Sequence, residues 1–443
     1  MSQRLRLTDD MIRSALRPLD DYQVDGLAAS VSAAIARTSQ RRWWLTRVRQ
    51  IGWAIRPMST TLRIAILLLL LLGLLLALYL PGALRPARNL DSPMFHGDAA
   101  RTGVTDEIGP SRGAVTSWQI SLPGALRNSP PALADGRLFA GDAQGFVGAY
   151  DVASGTKRWQ TQMSRTASSP AVGGGLVIVG GSDGVYALGE DDGRIVWHVA
   201  SATGVKSPPA IVGDVIYASY DGQLAAMTLE DAALLWRTPL GASGNHAPAV
   251  ANGVVYIGTD DGSLHAVSTA HGEVLWQRTI GDGDLSTPAV ADGVIYVATG
   301  VDHGAANHAL CAVDVRDGAE LWRYAADDNA EMYIGAVSEG VVFAVGLDGM
   351  VAALRDGIPL WTFDAGAPIG SVATLSDGIL YVSASDGSVD AIDSATGQRR
   401  WSITVDGDPA PVIVGPHALY VGTDLGELTA FTESPAASGN ASP

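Results

Sequence analysis

Carboxylate and imidazole side chains concentrate in three neighbouring segments, "GDGDLS" (281–286), "GVDHGAANHAL" (300–310) and "DDNAEM" (327–332). Loops that are rich in oxygen ligands suit calcium. We therefore predict a ligand-binding or partner-binding patch here, with calcium as one candidate ligand. The alternative interpretation is a solvated acidic loop. The predicted patch comprises Asp282, Asp284, Asp302, His303, His308, Asp327, Asp328, Glu331 and Tyr333.

Other reactive residue types give weaker signals. Cys311 is the single cysteine, so an intrachain disulfide is impossible, and its position in an apolar segment predicts a buried small hydrophobe rather than a reactive thiol. The stretch "VGGGLVIVGG" lacks the helix and the lysine of a phosphate-binding loop. The histidines outside the patch show no metal-ligand spacing; they are His96, His198, His246, His265, His271 and His417.

The elements that must position the patch are repeats of about 40 residues. Successive tryptophans are 38 to 46 residues apart, and several end the pattern Ala-x-Asp-x-x-x-Gly-x-x-x-Trp, which is intact at 149–159, 312–322 and 391–401. Each unit contains four short apolar runs, and such a sheet cannot bury both of its faces alone. The repeated tryptophans are Trp118, Trp159, Trp197, Trp236, Trp276, Trp322, Trp361 and Trp401.

These repeats predict an all-β fold, an eight-bladed β-propeller of four-stranded antiparallel sheets over residues 114–432. The last unit stops without a tryptophan strand, whereas "AVTSWQISL" (114–122) is a tryptophan strand without a unit before it. We expect this N-terminal strand to complete the eighth blade and to close the ring. The glycine supplies a positive φ at a turn, the indole fills the gap between sheets, and the alanine leaves room for it. In the sixth unit, Ala352 is the candidate partner of Trp361.

The repeat resembles the tryptophan-docking motif of pyrroloquinoline-quinone-type (PQQ-like) repeats, and "SPMFHGDAARTGVT" (92–105) is similar to the segment that opens such propellers. This family includes quinoprotein alcohol and glucose dehydrogenases and also a cofactor-free lipoprotein that helps to assemble outer-membrane β-barrels. The resemblance implies that a dehydrogenase would hold its quinone between a vicinal disulfide and a central tryptophan, beside calcium. One cysteine forbids that disulfide, and every tryptophan beyond residue 88 occupies a docking position. We therefore expect neither an enzyme nor bound PQQ, with a quinoprotein dehydrogenase as the alternative.

An apolar segment before the repeats predicts membrane attachment. "IAILLLLLLGLLLALYL" (64–80) carries no charge, and with its flanks it gives a transmembrane helix over 62–84. The rival interpretation is a cleaved signal peptide, but about 60 residues precede this segment, more than such peptides usually have. The basic Trp/Arg segment 41–61 predicts a cytoplasmic N-terminus and an extracytoplasmic propeller in a bacterial plasma membrane.

Charge distribution separates the two sides of this span. Residues 1–88 carry 13 Arg against 5 Asp, whereas residues 89–443 carry 16 Arg and Lys against 41 Asp and Glu, so nucleic acid is not an expected partner of the propeller. Residues 1–40 predict two short helices, either a polar leader or a docking segment for a cytoplasmic protein. Residues 85–113 are assigned as a linker and opening segment, and 433–443 as a disordered tail.

Taken together, these features predict a single-pass protein of the cell envelope. Its propeller face would bind a protein, a polymer or a small ligand as a scaffold. A sensor that relays binding to residues 1–40 is the nearest variant.

Overall fold

The described residues form eight antiparallel sheets of four strands each, which confirms the predicted eight-bladed propeller. One sheet gains a fifth strand, because β1 (Val104–Thr105) pairs in parallel with the inner strand of blade seven. The structure is a computed structural model, and it describes residues 92–435 except 127–128, 166–167, 206, 242–245, 302–307, 326–329 and 371.

In blades one to seven, four consecutive strands run from the inner to the outer edge of the sheet. Blade one holds β3 (Ala132–Ala134), β4 (Arg137–Gly141), β5 (Phe146–Asp151) and β6 (Lys157–Gln162). Blade two holds β7 (Ala171–Gly173), β8 (Leu176–Gly181), β9 (Gly184–Gly189) and β10 (Ile195–Ala200). Blade three holds β11 (Ala210–Val212), β12 (Val215–Tyr220), β13 (Gln223–Thr228) and β14 (Leu234–Pro239). Blade four holds β15 (Ala249–Ala251), β16 (Val254–Gly258), β17 (Ser263–Ser268) and β18 (Val274–Thr279).

The second half of the ring repeats this arrangement. Blade five holds β19 (Ala289–Ala291), β20 (Val294–Thr299), β21 (Ala309–Asp314) and β22 (Glu320–Tyr324). Blade six holds β23 (Met332–Ser338), β24 (Val341–Gly346), β25 (Met350–Arg355) and β26 (Ile358–Asp364). Blade seven holds β27 (Thr374–Ser376), β28 (Ile379–Ser383), β29 (Ser388–Asp393) and β30 (Arg399–Thr404). Blade eight holds β31 (Ile413–Gly415), β32 (Ala418–Gly422), β33 (Glu427–Glu433) and, as its outer strand, β2 (Ala114–Ser121).

Blade eight closes the ring with strands from both ends of the propeller. β2 pairs with β33 in antiparallel fashion, and Trp118 lies opposite Ala430, as the tryptophan lies opposite an alanine in the other blades. The inner strands contact one another in sequence around the circle, and β31 contacts β3. The N-terminal strand therefore supplies the missing outer strand, as predicted.

Buried apolar side chains form eight core clusters, and each cluster joins two neighbouring blades. The tryptophans of the repeat lie at these boundaries. Six indole Nε1 atoms donate hydrogen bonds of 2.8–3.1 Å to a backbone carbonyl of the following blade, as Trp276 does to Val315. Trp401 instead donates to Pro110 at 3.1 Å, because blade eight has no equivalent turn between β33 and β2. Six of these indoles thus couple one sheet to the next, and Trp401 couples blade seven to the segment before β2.

The motif glycine has a second role that the sequence did not reveal. Gly318 has a φ of 73°, and a Cβ atom there would lie 2.8 Å from Cε3 of Trp276 in the preceding blade. Both the backbone conformation and the contact with the neighbouring indole therefore favour glycine, although blade three carries Ala232 with a φ of 55° at this position. In blade six the predicted partner Ala352 is wrong: Ala353 lies opposite Trp361, because a two-residue turn replaces the longer loop of the other blades.

The opening segment, residues 92–105, lies inside the ring. Its carbonyl groups accept hydrogen bonds of 2.6–2.9 Å from backbone amides in the inner strands of blades one, two, four, five, six and seven. These amides belong to the inner strand of each sheet. That strand is an edge strand in every blade except blade seven, where β1 pairs with it, so its outward-facing amides need other acceptors. Residues of the predicted linker and opening segment (85–113) thus satisfy the backbone of the propeller centre.

Arg101 anchors this segment to blades three and four. Its side chain is fully buried, and its guanidinium donates to the carbonyls of Phe95, Pro208, Pro209 and Pro248 at 2.6–3.3 Å. Burial lowers the pKa of Arg101 to about 10, which still leaves the guanidinium protonated at neutral pH. A buried positive charge is thus held by peptide carbonyl dipoles.

The predicted membrane helix (62–84) and the predicted cytoplasmic segment (1–40) lie outside the described residues. Within the part of the chain that the structure describes, no helix has the length and apolar character needed to cross a bilayer.

Candidate ligand-binding pocket

A pocket of about 410 Å³ lies beside the opening segment. Phe95 and His96 of that segment line it, and the rest of its wall comes from the loops that precede the inner strands, from Val301 in the loop between β20 and β21, and from the start of β23. In a blade of four antiparallel strands, these loops share one face of the ring with the loops between the second and third strands. The pocket therefore opens on the face where the sequence places the patch.

His246, Asp260 and Asp284 meet at the rim of this pocket. His246 Nε2 lies 3.3 Å from Oδ1 of Asp260 and 3.2 Å from Oδ1 of Asp284. His246 precedes β15, Asp260 lies between β16 and β17, and Asp284 precedes β19, so three loops of blades four and five supply the cluster. The three candidate ligand atoms all lie within 4.8 Å of one another, a spacing that a single metal ion could bridge.

The two carboxylates of this cluster have opposite pKa shifts. The hydrogen bond from His246 is the main cause that lowers the pKa of Asp284, whereas burial, with the nearby Asp284 carboxylate, raises the pKa of Asp260. Because the two groups interact strongly, they titrate as a pair. The cluster therefore places two interacting carboxyl groups around one imidazole.

Part of the predicted patch lies at this pocket. Asp284 and Tyr333 both line it, and the Tyr333 hydroxyl donates a hydrogen bond to the carboxylate of Glu331. Burial, followed by this hydrogen bond, raises the pKa of Tyr333 above its usual range. The phenol therefore stays protonated and offers a neutral polar group to the pocket.

The other residues of the predicted patch are placed differently. Asp282 is exposed. The hydrogen bond with Glu320 is the main cause that raises the pKa of Arg323, and the charge of Asp282 contributes to the same shift. His308 is half-buried and directly precedes β21. Asp302, His303, Asp327 and Asp328 lie outside the described residues.

The sequence missed His246 and Asp260 as members of this cluster. His246 lies 14 positions before Asp260, which lies 24 positions before Asp284, and no metal-ligand spacing links them. The available signal was their position in the repeat, since each lies in a loop on the same face of adjacent blades. Alignment of the eight units by face would have placed the three residues near one another.

His96 is the buried polar group of the pocket wall. Its ring stacks on Phe95 with centroids 4.4 Å apart, and its Nδ1 lies 3.1 Å from the carbonyl oxygen of Arg101. Burial lowers the pKa of His96 to about 4, so the ring is neutral at neutral pH and Nδ1 carries the proton that is donated to Arg101. Among the described residues, Nε2 of His96 has no hydrogen-bond partner.

The features that the resemblance requires for a quinone site do not meet at this pocket. Cys311 is fully buried in β21, where burial raises the pKa of its thiol to about 12. The described lining of the pocket includes no tryptophan. The residues present therefore do not fit the disulfide and tryptophan platform of a quinoprotein dehydrogenase.

Sequence comparison places the repeats in a known family. Residues 107–184, 233–333 and 312–434 match the family described as outer membrane protein assembly factor BamB, and together they cover more than half of the chain. The chain belongs to this family. The match includes blade four and the start of β23, and hence most of the residues around the pocket.

Individual BamB proteins match over shorter stretches. BamB of Yersinia pestis is 28% identical over 179 residues, which is 34% of this chain and 45% of that protein. BamB of Salmonella typhimurium is 27% identical over 212 residues, 32% of this chain and 54% of that protein. The chain therefore spans about half the length of these curated relatives.

Solved structures with the same fold include both BamB and dehydrogenases. The crystal structure of BamB from Moraxella catarrhalis has a TM-score of 0.60 at 20% identity and covers 72% of this chain and all of its own. A europium-containing methanol dehydrogenase has a TM-score of 0.64 at 13% identity, covering 77% of this chain and 98% of its own. At these identities the likeness shows the fold alone.

Proposed function

We propose that this chain is a non-catalytic scaffold of the cell envelope whose propeller binds a protein partner. Membership of the BamB family supports this role, since the relatives are named as assembly factors for outer membrane proteins. The finer elements of the proposal are the single membrane helix over 62–84, an N-terminus inside the cell and a propeller outside it. A sensor that signals through residues 1–40 is a variant of the same proposal.

An arc of exposed apolar side chains carries the proposal. In blades two to six, large apolar residues occupy positions one to three before the docking tryptophan, and 46–66% of their surface is exposed. The corresponding positions hold Lys157 and Arg158 in blade one and Arg399 and Arg400 in blade seven. We call these apolar residues the outer apolar arc: Ile195, Val196, Leu234, Leu235, Val274, Leu275, Leu321, Ile358 and Leu360.

Exposed apolar groups that follow one arc are typical of an interaction surface. Each arc residue belongs to the outermost strand of its blade, or directly flanks one, and that strand pairs on one side only. A membrane surface is the less suitable occupant, because residues 89–443 carry 41 acidic against 16 basic residues and anionic lipid would repel them. A protein with an exposed apolar surface is therefore the occupant that best matches the arc.

Site-specific crosslinking in cells tests this proposal with the full-length chain. A photoreactive amino acid replaces Leu275 of the arc or, as the matched control, Arg158, because each directly precedes a docking tryptophan. We expect position 275 to crosslink to one defined protein and position 158 not to do so. Adding Leu235→Glu should reduce that crosslink by about fivefold or more, because it places a charge in an apolar contact, whereas Arg400→Glu should not. Equal crosslinking at both positions, or crosslinking to lipid alone, contradicts the proposal.

A dehydrogenase assay tests the alternative function. The full-length chain, incubated with PQQ and calcium, is given an alcohol and an artificial electron acceptor. We expect no PQQ-dependent reduction, since the single cysteine and the docked tryptophans leave no platform for the quinone. Activity that depends on added PQQ would replace the scaffold with an enzyme.

A further inference from the structure

We infer that His246, Asp260 and Asp284 form a binding site for one divalent transition-metal ion of the Zn²⁺ type, at the rim of the 410 Å³ pocket. This inference is independent of the partner-binding role proposed above. It rests on ligand spacing, ligand type, the anchoring of the loops and the character of the adjoining pocket.

The spacing of the ligand atoms fits a small tetrahedral ion. Zn–N and Zn–O bonds of about 2.0–2.2 Å place neighbouring ligands of a tetrahedron about 3.3–3.6 Å apart. His246 Nε2 lies 3.2 Å and 3.3 Å from the two carboxylate oxygens. These two distances lie within a few tenths of an ångström of that range, and all three ligand atoms lie within 4.8 Å of one another.

The chemistry of the ligands distinguishes between metals. An imidazole at the centre of the cluster suits zinc and related transition metals, whereas calcium prefers oxygen ligands throughout. One ion of charge +2 would also neutralise two carboxylates that are otherwise close to one another around a single imidazole. The cluster therefore favours Zn²⁺ over the calcium that the acidic loops suggest from their sequence.

Two of the ligand-bearing loops are held by their own backbones. The carbonyl of Asp284 accepts hydrogen bonds from the amides of Gly300 and Val301 at 2.9 and 3.2 Å. Asp260 lies in a turn that is closed by the bond from the Gly262 amide to the Thr259 carbonyl at 3.1 Å. Because both loops are fixed, ion binding requires little ordering of the chain.

The pocket supplies an independent indication of a ligand beside the ion. His246 and Asp284 line it together with His96, which is only 7% exposed and whose Nε2 has no partner among the described residues. A buried polar atom without a partner is uncommon in folded proteins and indicates an additional group nearby. Three protein ligands leave a fourth coordination position for water or for an oxygen atom of a ligand in the pocket.

Metal binding to the full-length chain tests the inference. The protein, in mild detergent, is first treated with a chelator to remove any bound metal. Equilibrium dialysis against Zn²⁺, followed by elemental analysis, should give one ion per chain. His246→Ala and the near-isosteric Asp284→Asn should each weaken Zn²⁺ binding by about tenfold or more, because each removes a direct ligand. His271→Ala is the matched control, since His271 is an exposed histidine of blade four in the turn at the opposite face, and it should not change the affinity.

Two further measurements complete the test. Co²⁺ in place of Zn²⁺ should give the visible absorption of a tetrahedral site in the wild type and lose it in His246→Ala. Thermal melts without metal verify that the variants fold, and Asp260→Asn provides a third ligand variant if one of them does not. Absence of Zn²⁺ binding, affinity unchanged in all ligand variants, or Ca²⁺ binding more tightly than Zn²⁺ would each overturn the inference.

Discussion

Burial of a neutral His96 makes the stability of the propeller depend on pH. The pKa of His96 is about 4 in the folded chain and 6.5 in the unfolded chain. Between these values the unfolded chain binds a proton that the folded chain does not, so stability is complete above pH 6.5 and decreases as the pH falls to about 4. At about 1.4 kcal/mol per pH unit, the free energy of unfolding loses about 3 kcal/mol across this range.

The substitution His96→Asn isolates this effect. His96 has a φ of 59°, a conformation that asparagine tolerates better than most residues, and the asparagine amide can still donate to the carbonyl of Arg101. Asparagine does not titrate, so the loss that His96 causes should disappear. At pH 7.5 we expect the variant to be slightly less stable than the wild type, and below about pH 5 more stable.

Urea unfolding of the full-length chain, followed by tryptophan fluorescence at several values between about pH 7.5 and pH 4.5, measures this difference. Other groups that titrate in this range contribute equally to both proteins, so the difference between the two curves reports His96. His271→Asn, at an exposed histidine, should run parallel to the wild type. If the curve of His96→Asn also runs parallel to that of the wild type, His96 is not buried as a neutral ring.

Two further predictions concern the blades. Gly293 and Gly318 of blade five both have positive φ, but a Cβ atom at 293 meets nothing within 4 Å whereas one at 318 meets Trp276. Gly293→Ala should therefore lower the free energy of unfolding by about 1 kcal/mol. Gly318→Ala should lower it by about 1–3 kcal/mol more than Gly293→Ala does, because the added methyl group meets the indole. Equal melting temperatures of the two variants would contradict the contact with the indole. Burial raises the pKa of the Cys311 thiol to about 12, so a disulfide reagent at neutral pH should label it only after denaturation; rapid labelling of the native chain would contradict its burial.

Much of the propeller could be predicted because its determinants repeat along the chain. The tryptophan and its alanine recur around the ring, and the glycine recurs in six of the units. The strand alternation between them is local, so blade number and blade closure followed from spacing alone. The partner of Trp361 was wrong by one residue, because turn length sets the register and the pattern "AALRDGIP" (352–359) allows either alanine. The path of residues 92–105 was not predictable, since its contacts to six blades are backbone hydrogen bonds, which leave no side-chain pattern, and Arg101 is a single side-chain contact that does not repeat.

The candidate site was predictable only in part. The sequence placed Asp284 and Tyr333 on the correct face, because strand order determines which loops lie together. The three residues of the cluster come from separate loops with no shared local motif, so only their position in the repeat, and not spacing within one unit, connects His246 to Asp260 and Asp284.

The sequence by itself determined the number of blades, the closing strand and the positions of the indoles, because each depends on residues within one unit or on a count of units. Only the tertiary structure decided which loop side chains meet and what fills the centre of the ring. Those contacts depend on the distance between neighbouring blades and on the path of a backbone, and neither is encoded in a short run of residues.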